Sequence, residues 1–256
     1  THLKNLTLKG KQMKHFYEEV EGWWSEKDHD FYKKIVDKYE DGSHFVEVGS
    51  FKGRSSVCMA VNIINSNKDI RFDCVDTWKG SEEHQKDGIA EDADVVGDTL
   101  HETFVKSVAS VKDYINPYQT TSREASKLHE YESLDFVFID GSHDFGNVLN
   151  DIRSWAPKIK MGGTLAGHDF GHEGVGLAVG FFFGENIKVH ESCWYWEKTP
   201  DSVIPQDIEY VRGTLPESKL QKYSSIGIVP RVLLHESYSN MQSVVFDANV
   251  AFLFKD

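Results

Sequence analysis

The sequence predicts an α/β fold, a mostly parallel sheet with helices on both faces. Three observations predict it. Short apolar runs that read as buried strands alternate with longer segments of helical period. A glycine-bearing turn, Gly49-Ser-Phe-Lys-Gly53, separates the first strong strand from the first long apolar helix. Two later strands run directly into acid and imidazole groups, Phe138-Ile-Asp140-Gly-Ser-His143-Asp144 and Gly167-His168-Asp169. Ligands of open α/β sheets sit beyond the carboxyl ends of the strands. Adjacent strands ending this way would gather Asp140, His143, His168 and Asp169 at one edge. That set is sized for a metal or a catalytic base and suggests an enzyme.

The elements follow in order. Residues 11–40 read as helical, with Phe16, Val20, Trp23 and Trp24 near helical spacing and Phe31, Ile35, Val36 and Tyr39 repeating it. Asp41-Gly42-Ser43 stops that element before strand 45–48. An almost wholly apolar helix, 55–64, precedes strand 70–75, which ends at Asp76. Residues 80–95 are acidic without an apolar period, so they read as a solvated surface loop or a lid ordered by ligand. A helix over 99–111, a strand over 115–119 and a helix over 122–131 come next. Strand 134–139 leads to the clearest helix, where Phe145, Val148, Leu149, Ile152 and Trp155 mark one face and Asp144 suits the N-cap. Met161-Gly162-Gly163 turns into strand 164–166. A helix over 174–183 and two strands, 187–190 and 193–196, complete the core. Trp194-Tyr195-Trp196 reads as an edge strand with core faces or as a sugar-stacking surface. Residues 199–256, with Pro200, Pro205, Pro216 and Pro230, read as an extension carrying late strands at 244–246 and 250–254. The expected organisation is an N-terminal helical segment 1–40, a core 41–198 and this extension, serving oligomerisation or covering an acceptor site.

The totals narrow the function. A chain of 256 residues with 12% aromatics can bury a sizeable core. A formal charge of -13 argues against a nucleic-acid backbone or an anionic membrane surface as the main partner. Cys58, Cys74 and Cys193 are odd in number, widely spaced and set in apolar contexts, as reduced core thiols are. No stretch is long and apolar enough to span a bilayer, and no signal-peptide core is evident, so a soluble cytoplasmic protein is expected.

The glycine turn, continued by Arg54, Ser55 and Ser56, lets a ligand approach main-chain amides at a helix N-terminus; a plain tight turn is the other reading. It fits neither the dinucleotide fingerprint nor the phosphate loop. Asp76, some two dozen residues beyond Gly53, stands where an acid can accept both ribose hydroxyls. Together these favour a nucleoside ligand lacking a diphosphate.

Val46-Glu47-Val-Gly49-x-x-x-Gly53, Asp76-Thr77-Trp78, Phe138-Ile-Asp140-Gly-x-His143 and Gly162-Gly163 resemble the successive motifs of class I S-adenosylmethionine-dependent methyltransferases. The resemblance is closest to the metal-dependent O-methyltransferases that include the macrocin-type sugar enzymes, and it covers residues 40–198. It implies a Rossmann-like seven-stranded sheet with an antiparallel last strand. It also implies that Glu47, Gly49 and Gly53 shape the methionine pocket, that Asp76 holds the ribose, and that Ser50, Ser55 and Thr77 are among the cofactor-binding residues. Trp78 would pack on the cofactor or anchor the sheet edge. Ser122 and Arg123 take the position near adenine, and Asp140 borders the cofactor.

The same resemblance puts metal ligands at Asp140, His168 and Asp169 and the general base at His143. A capping or loop-bonding role for His143 stays open. His168 stands where an acid is usual, which admits Mn²⁺, Fe²⁺ or Zn²⁺ beside Mg²⁺. The expected activity is methyl transfer to a hydroxyl of a small-molecule acceptor, a sugar or glycoside by the resemblance, by a protein that could be a homo-oligomer. A metal-dependent hydrolase or hydroxylase and a non-catalytic nucleoside-binding module are the alternatives.

Overall fold

The structure, a computed structural model, describes residues 12–184, 186–202 and 204. They fall into two compact units, Thr1–Thr121 and Ser122–Asp256. The first holds helices α1 (Glu26–Lys38), α2 (Arg54–Ser66), α3 (Ala93–Val96) and α4 (Leu100–Ser107) and strands β1 (His44–Val48), β2 (Arg71–Asp76) and β3 (Asn116–Gln119). The second holds helices α5 (Ser122–Ser126), α6 (Phe145–Trp155) and α7 (Glu173–Phe183) and strands β4 (Leu134–Ile139), β5 (Ile159–Gly167), β6 (Lys188–His190) and β7 (Cys193–Glu197).

The seven strands make the mixed, Rossmann-like sheet the sequence predicts. Their order is β3-β2-β1 in the first unit and β4-β5-β7-β6 in the second. β1, β2 and β3 pair in parallel, as do β4 and β5, whereas β7 runs antiparallel to both β5 and β6. Of the parallel strands, β1, β2 and β4 are buried runs because both faces are covered, whereas β3 is largely exposed. Phe45, Val46, Phe72, Cys74, Phe136, Val137 and Phe138 are all buried. In the first unit α1 packs on α2 through Phe31, Tyr32, Ile35 and Val36; in the second α6 packs on α7. The three cysteines are buried and form no disulfide among the described residues, as core thiols should. No described helix is long and apolar enough to cross a membrane.

Several expected elements differ. The helix read over 11–40 is a 3-10 turn at Tyr17–Glu19 followed by α1 only from Glu26. Gly22 at φ 140° interrupts the chain, and Ser25 and Asp28 form a reciprocal capping box that fixes the helix start. Local capping chemistry overrides the apolar spacing of Phe16 to Trp24. Helix α5 ends five residues early, because Lys127, Leu128 and His129 donate to carbonyls three residues back and tighten the last turn. Strand β5 begins at Ile159, so Met161-Gly162-Gly163 lies within it as an irregularity in its register with β4, with Gly162 at φ 80°. Strand β7 lies between β5 and β6 and is not an edge. Residues 80–95 are not merely solvated: they contain a 3-10 turn at Glu82–His84 and α3, and Asp92 is buried against Lys52. The strands expected at 244–246 and 250–254 lie outside the described residues.

Candidate active site

In the first unit the glycine turn leaves β1 and enters α2. Gly53 caps α2 with φ 91°, and a Cβ there would stand 3.0 Å from Val108 and 3.1 Å from Phe104. Glycine is therefore required both by conformation and by close approach. Gly49 also has a positive φ, and its amide donates to the Val75 carbonyl at 2.8 Å. Lys52, 3% exposed, reaches Asp92 at 2.7 Å, Glu21 at 2.9 Å and Asp94 at 3.2 Å. That ion cluster ties the turn to the 80–95 segment.

Asp76 ends β2, half-buried. Its Oδ2 accepts from Phe51 N at 2.8 Å and its Oδ1 from Trp78 N at 2.7 Å. Burial pushes its carboxyl up, opposed by those amides. The acid thus buttresses the turn it was expected to complement. Thr77 is half-buried and accepts from Lys79 N. Glu47 is fully enclosed, accepting from Tyr32 Oη at 2.9 Å and from the Ser56 hydroxyl. Burial raises its pKa, and the hydroxyls of Ser56 and Tyr32, with buried Ser50 and Ser55 close by, work against that rise. Glu47 therefore supports the turn from beneath.

Of the two readings of Trp78, its packing here matches the anchor. The ring is 2% exposed, lies 4.6 Å from His101 and 4.7 Å from Phe104, and donates from Nε1 to Phe51 O at 3.0 Å. It is an anchor.

In the second unit, register builds the site. Ile139 on β4 pairs with Gly167 on β5, so the residues that follow, Asp140 and His168, emerge side by side. Gly167 permits the approach: a Cβ would fall 2.5 Å from Ile139 O and 2.6 Å from the Trp194 ring. His168 Nδ1 lies 3.1 Å from Asp169 Oδ2 and 3.9 Å from Asp140 Oδ1, and Ser192 Oγ meets its Nε2 at 3.0 Å. His143 Nε2 reaches the same Asp169 Oδ2 at 3.0 Å, its ring stacked on His172 at 4.6 Å.

Burial opposes the charge on Asp169, yet the His143 and His168 imidazoles hold its carboxyl well below the usual carboxylate range. An ionised carboxylate only accepts, which assigns a proton to His143 Nε2. Asp169 takes φ 55°, a left-handed conformation costing about 1–3 kcal/mol and common at functional sites. A small pocket with room for about one water molecule, part open to solvent, lies here; Asp140, His143, His168, Asp169, Val175 and Trp194 are among its walls.

One ligand atom each from Asp140, His168 and Asp169 lies within 4.8 Å of the others. The donor set fits a divalent cation. His168 can turn an Nδ1 lone pair on such an ion only with its proton on Nε2, and Ser192 Oγ stands there to accept it. Asp144 is the N-cap of α6, accepting from Asn147 N at 3.0 Å. Ser122 Oγ accepts from Trp155 Nε1 at 2.9 Å, and Arg123 is exposed on α5.

Asp151 was missed by sequence reasoning. Burial, with the Asp144 charge adding and the Ser122 hydroxyl opposing, pushes its carboxyl up to about 7. Its side chain backs onto Gly141, next to Asp140. The signal available was its seven-residue spacing from Asp144, which returns to one face of a helix.

Residues 46–170 match the family model of a methyltransferase domain. That stretch, just under half of the chain, resembles a methyltransferase domain. The fold of the O-methyltransferase NovP superposes with a TM-score of 0.51 at 16% identity, covering 68% of this chain and 80% of that one. A Corynebacterium glutamicum protein gives the same TM-score at 8% identity, covering 78% and 97%. At these identities the shared property is the fold. An uncharacterized Sinorhizobium fredii protein, y4gI, is 23% identical over 147 residues, 57% of this chain. The chain spans 15% of the length of that curated relative.

Proposed function

We propose that the chain transfers a methyl group from S-adenosylmethionine to a hydroxyl of a small polar acceptor, a sugar or glycoside, assisted by a divalent cation. The observation that carries this reading is the cluster of Asp140, His143, His168 and Asp169 that the Ile139–Gly167 register assembles in a stretch resembling a methyltransferase domain. NovP, an O-methyltransferase of the same fold, supports oxygen as the acceptor atom.

The reaction breaks the sulfonium–methyl bond, forms a carbon–oxygen bond and requires the hydroxyl proton to leave. His143, beside Asp169, would take that proton, and the Asp169 carboxylate would hold the resulting imidazolium. Asp140, His168 and Asp169 would hold the cation, which supplies acceptor alignment and a lowered hydroxyl pKa. The imidazole among the ligands admits Mn²⁺, Fe²⁺ or Zn²⁺ beside Mg²⁺. The glycine turn and Asp76 of the first unit bind the donor. The small acceptor fits an acidic chain better than nucleic acid or a membrane does.

The second reading is a metal-dependent hydrolase or hydroxylase, which would use the Asp140, His168 and Asp169 donor set and need no methyl donor. Calorimetry with S-adenosylmethionine and S-adenosylhomocysteine, with and without Mg²⁺, tests the choice. Micromolar binding of both is expected. Absence of binding for either would remove the methyltransferase reading.

A further inference from the structure

A second group of metal-binding side chains lies in the first unit, apart from any residue assigned a role above. His15 precedes the Tyr17–Glu19 turn, His29 lies in the first turns of α1, and Cys58 lies on α2. One ligand atom from each falls within 4.8 Å of the other two. The two imidazoles meet at 4.4 Å between centroids. His15 Nδ1 and His29 Nε2 are buried and make no hydrogen bond among the described residues. Buried polar atoms are nearly always satisfied, so two orphaned nitrogens beside a thiol call for an explanation.

The segment that carries His15 is held in place independently. Asn65 of α2 clamps the Met13 backbone at both groups, accepting from its N at 2.7 Å and donating to its O at 3.0 Å.

We propose that His15, His29 and Cys58 form a structural Zn²⁺ site that staples the N-terminal segment to α1 and α2. Two imidazole nitrogens and one sulfur are the donor types zinc selects, and water completes the tetrahedron at the half-buried imidazole side. Ligands around zinc stand roughly 3.3–3.7 Å apart, given Zn–N of ~2.0 Å and Zn–S of ~2.3 Å, so the side chains need close by only about an ångström. Binding displaces the Cys58 proton to solvent, leaving the thiolate on the metal. The neighbouring Tyr17 ring, stacked on His29 at 5.6 Å, screens the site from one side.

Cobalt(II) reports sulfur ligation directly. The full chain, freed of metal and titrated with Co²⁺, should develop a near-ultraviolet thiolate-to-cobalt charge-transfer band that saturates at one equivalent and is erased by Zn²⁺. Cys58→Ser should abolish the band. A buried hydroxyl at 58 costs core stability, so His15→Gln, on the half-buried segment, serves as the second variant and should also lose the band. Asp140→Asn should keep it, because Asp140 is not among the three proposed ligands. Zn²⁺ should raise the melting temperature of the parent and of Asp140→Asn but not of His15→Gln. No band in the parent, or a band that survives both Cys58→Ser and His15→Gln, would overturn the assignment.

Discussion

Lys52→Met tests whether the ion cluster behind the glycine turn holds the 80–95 segment. The substitution keeps the length of the side chain and removes its charge. In the parent, Lys52 Nζ is enclosed by Asp92, Glu21 and Asp94. Removing one partner of a buried ion pair costs about 3–5 kcal/mol when the remaining charge is left uncompensated. Asp92, nearly as buried, keeps two backbone donors, Asp94 N at 3.0 Å and Val95 N at 3.3 Å. Glu21 and Asp94 are open enough to regain water. The lower end applies, about 3 kcal/mol, because exposed members of the cluster contribute little. For a domain of this size, with about 2–4 °C lost per kcal/mol, the melting temperature should fall by roughly 6–12 °C. Circular dichroism melts measure it, and hydrogen exchange should show faster exchange at the Asp94 to Val96 amides. A fall below about 2 °C would show that the cluster is not what fixes this segment.

Three further outcomes are expected. Glu47→Gln removes a buried acid whose pKa burial raises; such a group contributes stability below its ordinary carboxylate value and loses it as pH rises through the folded value. Urea midpoints should therefore show the parent weakening relative to Glu47→Gln between pH 5 and pH 8, and a constant difference would refute the burial argument. Asp76→Ala should weaken S-adenosylmethionine binding in calorimetry by roughly 10–100-fold, the scale of hydrogen bonds to a charged group, through lost ribose contacts and a loosened Phe51 amide. His143→Ala should leave donor affinity intact yet lower turnover about a hundredfold or more, and unchanged turnover would reassign the base.

Much of the fold was legible because its elements carry strong periods. Strand 134–139 and helix 145–156 were readable nearly to the residue, since a six-residue apolar run and a one-faced helix with an Asp N-cap leave few alternatives. The N-terminal region was not, because the aromatic spacing from Phe16 to Trp24 imitates a helix while Gly22 and the Ser25–Asp28 cap dictate otherwise. Asp140, His168 and Asp169 were legible as strand-end chemistry, and the β4–β5 register brings them together. Asp151 was not, since its raised carboxyl depends chiefly on burial, which the sequence does not display. The Lys52 cluster escaped because it joins side chains from three separated segments.

The Ile139–Gly167 pairing has an evolutionary reading. Main-chain ladder bonds, and not the loops that follow, fix how far apart the first side chains beyond the two strands stand. Those loops can lengthen, shorten or exchange their residues while the separation at their roots stays put. The strand ends act as a mounting plate, on which new acceptor preferences could be installed without realigning the reactive groups.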